Sequence, residues 1–258
     1  MEVIVCSDAQ QVAAVAAECV GRVIDRVGSK VVLGVATGSS PLGLYQELQA
    51  MVRSGRFDLS EASAFALDEY IGLPQGHPES YAETIRRTVT EPLGMREENV
   101  HVPNGFAEDI DAAADQYEQA IAQAGGVDVQ ILGVGSNGHI GFNEPLSSLT
   151  CRTHMVELAH RTRQDNARFF DGDIDKVPGY ALTQGLGTIT DARSAVLIAS
   201  GSNKADAIAA LVEGPVSAMM PASILQMHRD ATIVVDEQAA SKLRGIEQYR
   251  KNAQRYLG

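Results

Sequence analysis

Six short apolar runs, several of them without polar alternation, constrain this chain more than any other feature. They are Val3–Cys6, Val31–Ala36, Ala64–Asp68, Val127–Val134, Ala195–Ser200 and Thr232–Val235. A strand with one wet face alternates apolar and polar residues, whereas a strand covered on both faces has no need to. Longer amphipathic stretches lie between the runs. The first opens at Ser7 or Asp8, either of which can cap a helix. It then places Val12, Val15, Ala16, Cys19, Val20, Val23, Ile24 and Val27 at i, i+3, i+4 spacing. Pro41 to about Met51, Ser80 to about Val89, Ile110 to Ala124, Asn203 to Val212 and Glu237 to Arg250 read the same way. Strand–helix alternation over the whole length predicts an α/β fold, a single domain over residues 1–258, with a mainly parallel open sheet between helical layers. Ligands of such sheets bind at the carboxyl ends of the strands, so the chemistry is expected in the loops that follow them.

The charge balance narrows the ligand. Lys and Arg number 21 against 33 Asp and Glu, a formal net charge of -12. That field repels polyanions and argues against nucleic-acid or anionic-membrane partners. A small anion stays compatible, because a few local cations and backbone N–H groups outweigh a distant field. Trp is absent and aromatics make up 5% of the chain, which leaves no stacking platform for single-stranded nucleic acid. Cys6, Cys19 and Cys151 are odd in number, form no C-x-x-C and have no His at ligand spacing. They predict buried thiols in a cytoplasmic protein, with neither a disulfide framework nor a zinc site. The opening MEVIVCSDAQ lacks the pattern of a signal peptide, and no apolar run approaches the ~20 residues of a membrane helix.

Residues from about 147 to 190 stand apart. They are polar and show no strand until their end. Such a long connection reads as a lid over a site, or as a peripheral helix flanked by loops.

Four loops carry candidate chemistry. After VVLGVA comes Thr37-Gly38-Ser39-Ser40-Pro41, where a turn glycine, three hydroxyls and a helix N-terminus form a phosphate cradle or a simple helix cap. It has neither the Walker A lysine nor GxGxxG spacing, so it is no nucleotide fingerprint. Asp68 and Glu69 end an apolar strand, and their side chains leave it in opposite directions, so at most one faces a pocket. A desolvated carboxylate there suits a general base for a carbon acid. ILGVGSNGHIGFNEP, Ile131 to Pro145, places Asn137, His139, Asn143 and Glu144 among four glycines. A His moves protons near neutral pH, and a nearby carboxylate orients it. Finally Gly201-Ser202-Asn203-Lys204 opens a helix. A Lys opposes the macrodipole there, and an anion between the two relieves the conflict.

Taken in order, TGSSP, LDEY with HPESY, SNGHIGFNEP, LTQGLGTI and GSNK resemble the glucosamine-6-phosphate deaminase family over about Val3 to Glu237. The resemblance implies a Rossmann-like αβα fold and conversion of glucosamine 6-phosphate and water to fructose 6-phosphate and ammonia, with no cofactor and no metal. It implies that Asp68 moves the proton between C2 and C1, that His139 opens the sugar ring, and that Glu144 and Asn137 support His139. The phosphate is expected on Gly38, Ser39 and Ser40 with Lys204 and, from the lid-like segment, Arg168. Family members range from monomers to hexamers, which leaves a homo-oligomer open. Members activated by N-acetylglucosamine 6-phosphate carry serines after FNEP and basic residues beyond. This chain keeps Ser147, Ser148 and Arg152 but has His154 and Val156 at the later basic positions, which predicts little activation. Two other readings share the fold. A 6-phosphogluconolactonase needs no isomerisation base, and a sugar-phosphate-sensing effector domain would carry a helix-turn-helix ahead of the first strand, where Val3 leaves no room.

Overall fold

A computed structural model describes residues 1–257, with side chains for all of these except 165 and 252–257. The first half runs β1 (Glu2–Cys6), α1 (Ala9–Val27), β2 (Val32–Val35), α2 (Leu42–Arg53), β3 (Ser63–Ala66), β4 (Asp68–Tyr70), α3 (Tyr81–Ile85) and β5 (Val100–His101). It continues through α4 (Ile110–Gln123), β6 (Val129–Leu132), β7 (His154–Glu157), α5 (His160–Asn166), β8 (Tyr180–Thr183) and α6 (Leu186–Thr190). The chain ends with β9 (Ser194–Ala199), α7 (Ala205–Glu213), β10 (Ala231–Asp236) and α8 (Ile246–Leu257).

Among the described residues, seven strands form a parallel sheet in the order β1-β10-β9-β6-β2-β3-β5. Both faces are covered, which accounts for the unalternating apolar runs. In β1, Ile4 and Cys6 pack with α1 and α2 on one face, while Val3 and Val5 pack with Ala207, Ile208 and Leu211 of α7 on the other. The Rossmann-like αβα arrangement expected from the sequence is therefore present. Asp8 caps α1 by accepting the Gln11 N–H at 2.9 Å.

Four expectations need correction. The run Ala64–Asp68 is two strands. β3 stays in the large sheet, whereas β4 leaves it and joins a second, antiparallel sheet ordered β4-β8-β7. Leu67 sits between them, donating its N–H to Val35 O and accepting the Gln184 N–H, so one residue serves both sheets. The polar segment also holds a strand that its pattern concealed. β7 alternates half-buried and exposed positions against β8, and a single wet face needs no apolar run. The last helix does not begin at Glu237. Residues 237–242 form turns that bury Ala239 and Ala240. The Glu213 carboxylate accepts the N–H groups of Arg244 and Gly245 immediately before α8. The helix expected over Ser80–Val89 is α3 followed by a π-helical turn at Arg86–Thr90.

Candidate active site

The order of the large sheet reverses between β2 and β6, since the chain proceeds from β2 to β3 and β5 on one side and from β6 to β9 and β10 on the other. A crevice opens at such a point. Here it is a cavity of about 860 Å³ that the loops after β2 and β6 share.

The loop after β2 is fixed from below. The buried Tyr45 hydroxyl donates to Ala36 O at 2.9 Å and accepts the Ala36 N–H at 3.0 Å. The chain then turns at Gly38, whose φ of 93° suits glycine. α2 follows at Pro41, which makes no side-chain cap, so among the described residues no side chain satisfies its first-turn N–H groups. Thr37, Gly38, Ser39 and Ser40 all line the cavity.

Asp68 also lines it, at only 6% exposure. Among the described residues no donor reaches its carboxyl. Burial first, and the nearby Glu69 second, push it up to about 8. Glu69 points away, as adjacent strand positions require. Its oxygens accept the N–H groups of Tyr70 at 2.8 Å, Tyr81 at 2.9 Å and Ala82 at 2.8 Å, so it caps α3. Burial nonetheless raises its pKa, against those three bonds.

The loop after β6 closes tightly. The Gly135 N–H donates to His139 O and the Gly138 N–H to Gly135 O. A Cβ on Gly135 would come within 2.3–2.6 Å of the His139 ring, so only glycine lets the imidazole lie against the backbone. Glu144 stands outside the cavity lining and reaches His139 from the side, with Oε1 3.5 Å from Nδ1. That is longer than a good hydrogen bond, and the buried Nδ1 has no other partner among the described residues. Asn137 donates its side-chain N–H to Glu144 Oε2 and accepts the His139 N–H, while Thr162 donates to Glu144 Oε1 at 2.7 Å. Burial pushes the Glu144 carboxyl up, but the neighbouring His139 and the hydrogen bonds from Thr162 and Asn137 outweigh that and hold it at about 2.

Lys204 Nζ donates to Val134 O at 2.8 Å, bringing the turn before α7 to this loop. Arg168 lies exposed, its guanidinium 4.7 Å over the Phe169 ring, and it too lines the cavity. Eight of the nine residues expected from the sequence thus border one cavity, and the ninth, Glu144, supports a member of it. Tyr81, Arg161, Thr162, Asn166 and Asn203 border it as well. Arg161 belongs to the basic run HRTR and Asn203 to GSNK, so both had a signal. Tyr81 ends the HPESY run and so had one too, whereas Thr162 and Asn166 had none that separates them from surface residues.

The chain matches the family of glucosamine-6-phosphate isomerases and 6-phosphogluconolactonase over residues 7–234, and it belongs to that family. It is 58% identical over 250 residues to a glucosamine-6-phosphate deaminase of Cutibacterium acnes, covering 97% of this chain and 95% of that one. A glucosamine-6-phosphate deaminase of Streptomyces avermitilis is 53% identical with the same coverage. A solved structure of a monomeric glucosamine-6-phosphate deaminase superposes with a TM-score of 0.90 at 38% identity, covering 94% of this chain and all of that one. The 6-phosphogluconolactonase from Trypanosoma cruzi superposes at 0.74 with 19% identity, over 94% of this chain and 97% of that one, a likeness of fold alone.

The raised Asp68 acid has a consequence for stability. Between its ordinary value of 3.8 and about 8 the folded chain binds a proton that the unfolded chain does not, so stability falls as pH rises through that window. Asp68→Asn removes the cost. Its Tm should exceed the wild type's, with the gap widening from near pH 5 to near pH 8 by roughly 2–4 °C for each kcal/mol relieved. A gap that stays flat with pH would mean the carboxyl is not desolvated.

Proposed function

We propose that this chain converts glucosamine 6-phosphate and water to fructose 6-phosphate and ammonia. The observation that carries this reading is the Asp68 carboxyl, buried without a donor on the wall of a cavity that it shares with His139. The reaction needs two separate proton movers. The ring must open before C2 becomes acidic beside a carbonyl, and that step moves a proton between O1 and the ring oxygen, the role of His139. Glu144 stands beside the imidazole for it, and Asn137 holds both Glu144 and the His139 backbone N–H. Ionised Asp68 then takes the C2 proton and returns it at C1, passing through an enolamine. The resulting C2 imine adds water and loses ammonia, leaving the ketose.

Burial favours the neutral form of Asp68 in the cavity as it stands. A substrate amine arriving as ammonium supplies the opposite charge that favours the carboxylate. The phosphate sits at the uncapped N-terminus of α2 with Ser39 and Ser40, where Lys204 and Arg168 concentrate positive charge in an acidic chain. Lactone hydrolysis requires no carbon base, and a binding domain requires no proton movers, so the set present supports deamination over both. The reaction belongs to amino-sugar breakdown, downstream of N-acetylglucosamine, and its phosphorylated substrate places it in the cytoplasm.

Purified protein should release ammonia from glucosamine 6-phosphate far faster than from the N-acetylated or unphosphorylated sugar, and equal rates would overturn the reading. Asp68→Asn should nearly abolish release while substrate binding stays within about a few fold, since it removes a proton acceptor and keeps the shape. Solvent exchange at C2 continuing at the wild-type rate would show that another residue is the base. Lys204→Ala and Arg168→Ala should each raise KM, and unchanged KM in both moves the phosphate elsewhere.

Regulation follows from the same surroundings. The Arg152 guanidinium already bonds Glu118 and Asp191, each with a contact of 2.6 Å. Arg161 lines the cavity, and Arg163 donates to Ile174 O. Little cationic attraction is left near Ser147 and Ser148 for a second phosphate. Initial rates should therefore be near-hyperbolic in substrate and unmoved by N-acetylglucosamine 6-phosphate. Sigmoidal curves that this compound straightens would contradict that expectation.

A further inference from the structure

We propose that Thr162 is a positioning residue for the His139–Glu144 pair and that it acts through Glu144; the proposal rests on the deaminase reading above. Three helical threonines turn their hydroxyls back on the chain one turn before them: Thr84 donates to Ser80 O, Thr88 to Thr84 O and Thr190 to Leu186 O. Thr188 of α6 instead reaches across to Glu118 Oε1 at 2.6 Å, away from the cavity lining. Thr162 also reaches across, but toward the site. Buried at 8% exposure, it reaches across to Glu144 Oε1 at 2.7 Å, the oxygen that lies 3.5 Å from His139 Nδ1.

Asn137 holds the other oxygen, Oε2. With both oxygens held, the carboxylate plane is fixed relative to the imidazole. With Thr162 removed, Oε1 keeps only the long approach to Nδ1, and the plane is free to turn about the Asn137 bond. The helix adds a second link. Asn166, one turn beyond Thr162, donates to the Tyr70 hydroxyl at 2.8 Å, and Tyr70 follows Asp68 by two residues on β4. α5 therefore braces the neighbourhoods of both proton movers, while Arg161 on the helix and Arg168 just beyond it face the cavity. The element that offers cations to the substrate's anionic end is the one that holds Glu144 in place.

Ammonia release by the wild-type protein is measured first; if there is none, the deaminase reading fails and the proposal with it. Thr162→Val keeps the shape and removes the donor. Its kcat should fall by about 10–100-fold with KM within about 3-fold, because a support of the proton-transfer geometry is lost and the phosphate contacts remain. Thr162→Ser, which restores the hydroxyl, should return kcat to within about 3-fold of wild type. In a Glu144→Gln background, Thr162→Val should cost less than about two-fold more, since two residues acting through one another are not additive. Thr162→Ala carries the same comparisons if the valine variant does not fold. A wild-type kcat in the donor-less variant, an effect confined to KM, or a loss undiminished in the Glu144→Gln background would each overturn the proposal while leaving the deaminase reading intact.

Discussion

The site depends on a buried carboxyl that no donor among the described residues reaches. Burying an ionisable group without a partner is costly, and the chain meets that cost by holding Asp68 from its backbone. β3 and β4 diverge at Leu67, whose N–H belongs to one sheet and whose carbonyl belongs to the other. The next residue must then leave the large sheet at the mouth of the crevice. Glu69 secures the geometry on the far side, because its three backbone hydrogen bonds tie β4 to α3 and set which way the strand faces. Of two adjacent acids, one is saturated with donors and anchors the strand, and its neighbour is left bare and faces the cavity. Neither assignment works without the other.

The same separation governs the electrostatics. Glu144, with donors on both oxygens, is held near 2, whereas Asp68, with none, is pushed toward 8. The donors thus favour the charged form of Glu144, which stands beside the imidazole outside the cavity, while burial favours the neutral form of Asp68, which faces into it. The formal charge of -12 does not interfere, because Arg161, Arg168 and Lys204 line the same cavity and act at short range.

Much of this was legible in the chain. Buried parallel strands declare themselves by apolar runs, and the loops after β2 and β6 by glycine, hydroxyl and histidine at their ends. What stayed hidden depends on contacts distant in sequence. The break at Leu67 arises because Gln184, far along the chain, competes for its carbonyl. β5 is only two residues long, and β7 has one wet face, so neither builds a recognisable pattern. Thr162 looks like any helical threonine until Glu144 is seen beside it. The C-terminal helix was misplaced because apolar Ala239, Ala240 and Leu243 fit a helical period while serving as buried turns.

The position of β1 has a consequence for how the protein is made. Among the described residues its one sheet partner is β10, residue against residue from Glu2↔Thr232 to Cys6↔Asp236. As the ribosome extends the chain from its N-terminus, the first strand has no neighbour to pair with until almost all of the remainder has emerged. β2, β3 and β5 find one another early, whereas the opposite half of the sheet waits for β9 and β10. α1 packs on those two late strands as well as on its early neighbour α2, so part of its apolar stripe waits for them to emerge. A parallel sheet whose first strand pairs with its last completes that edge late in synthesis, and strand edges left unpaired until then are where misassembly starts.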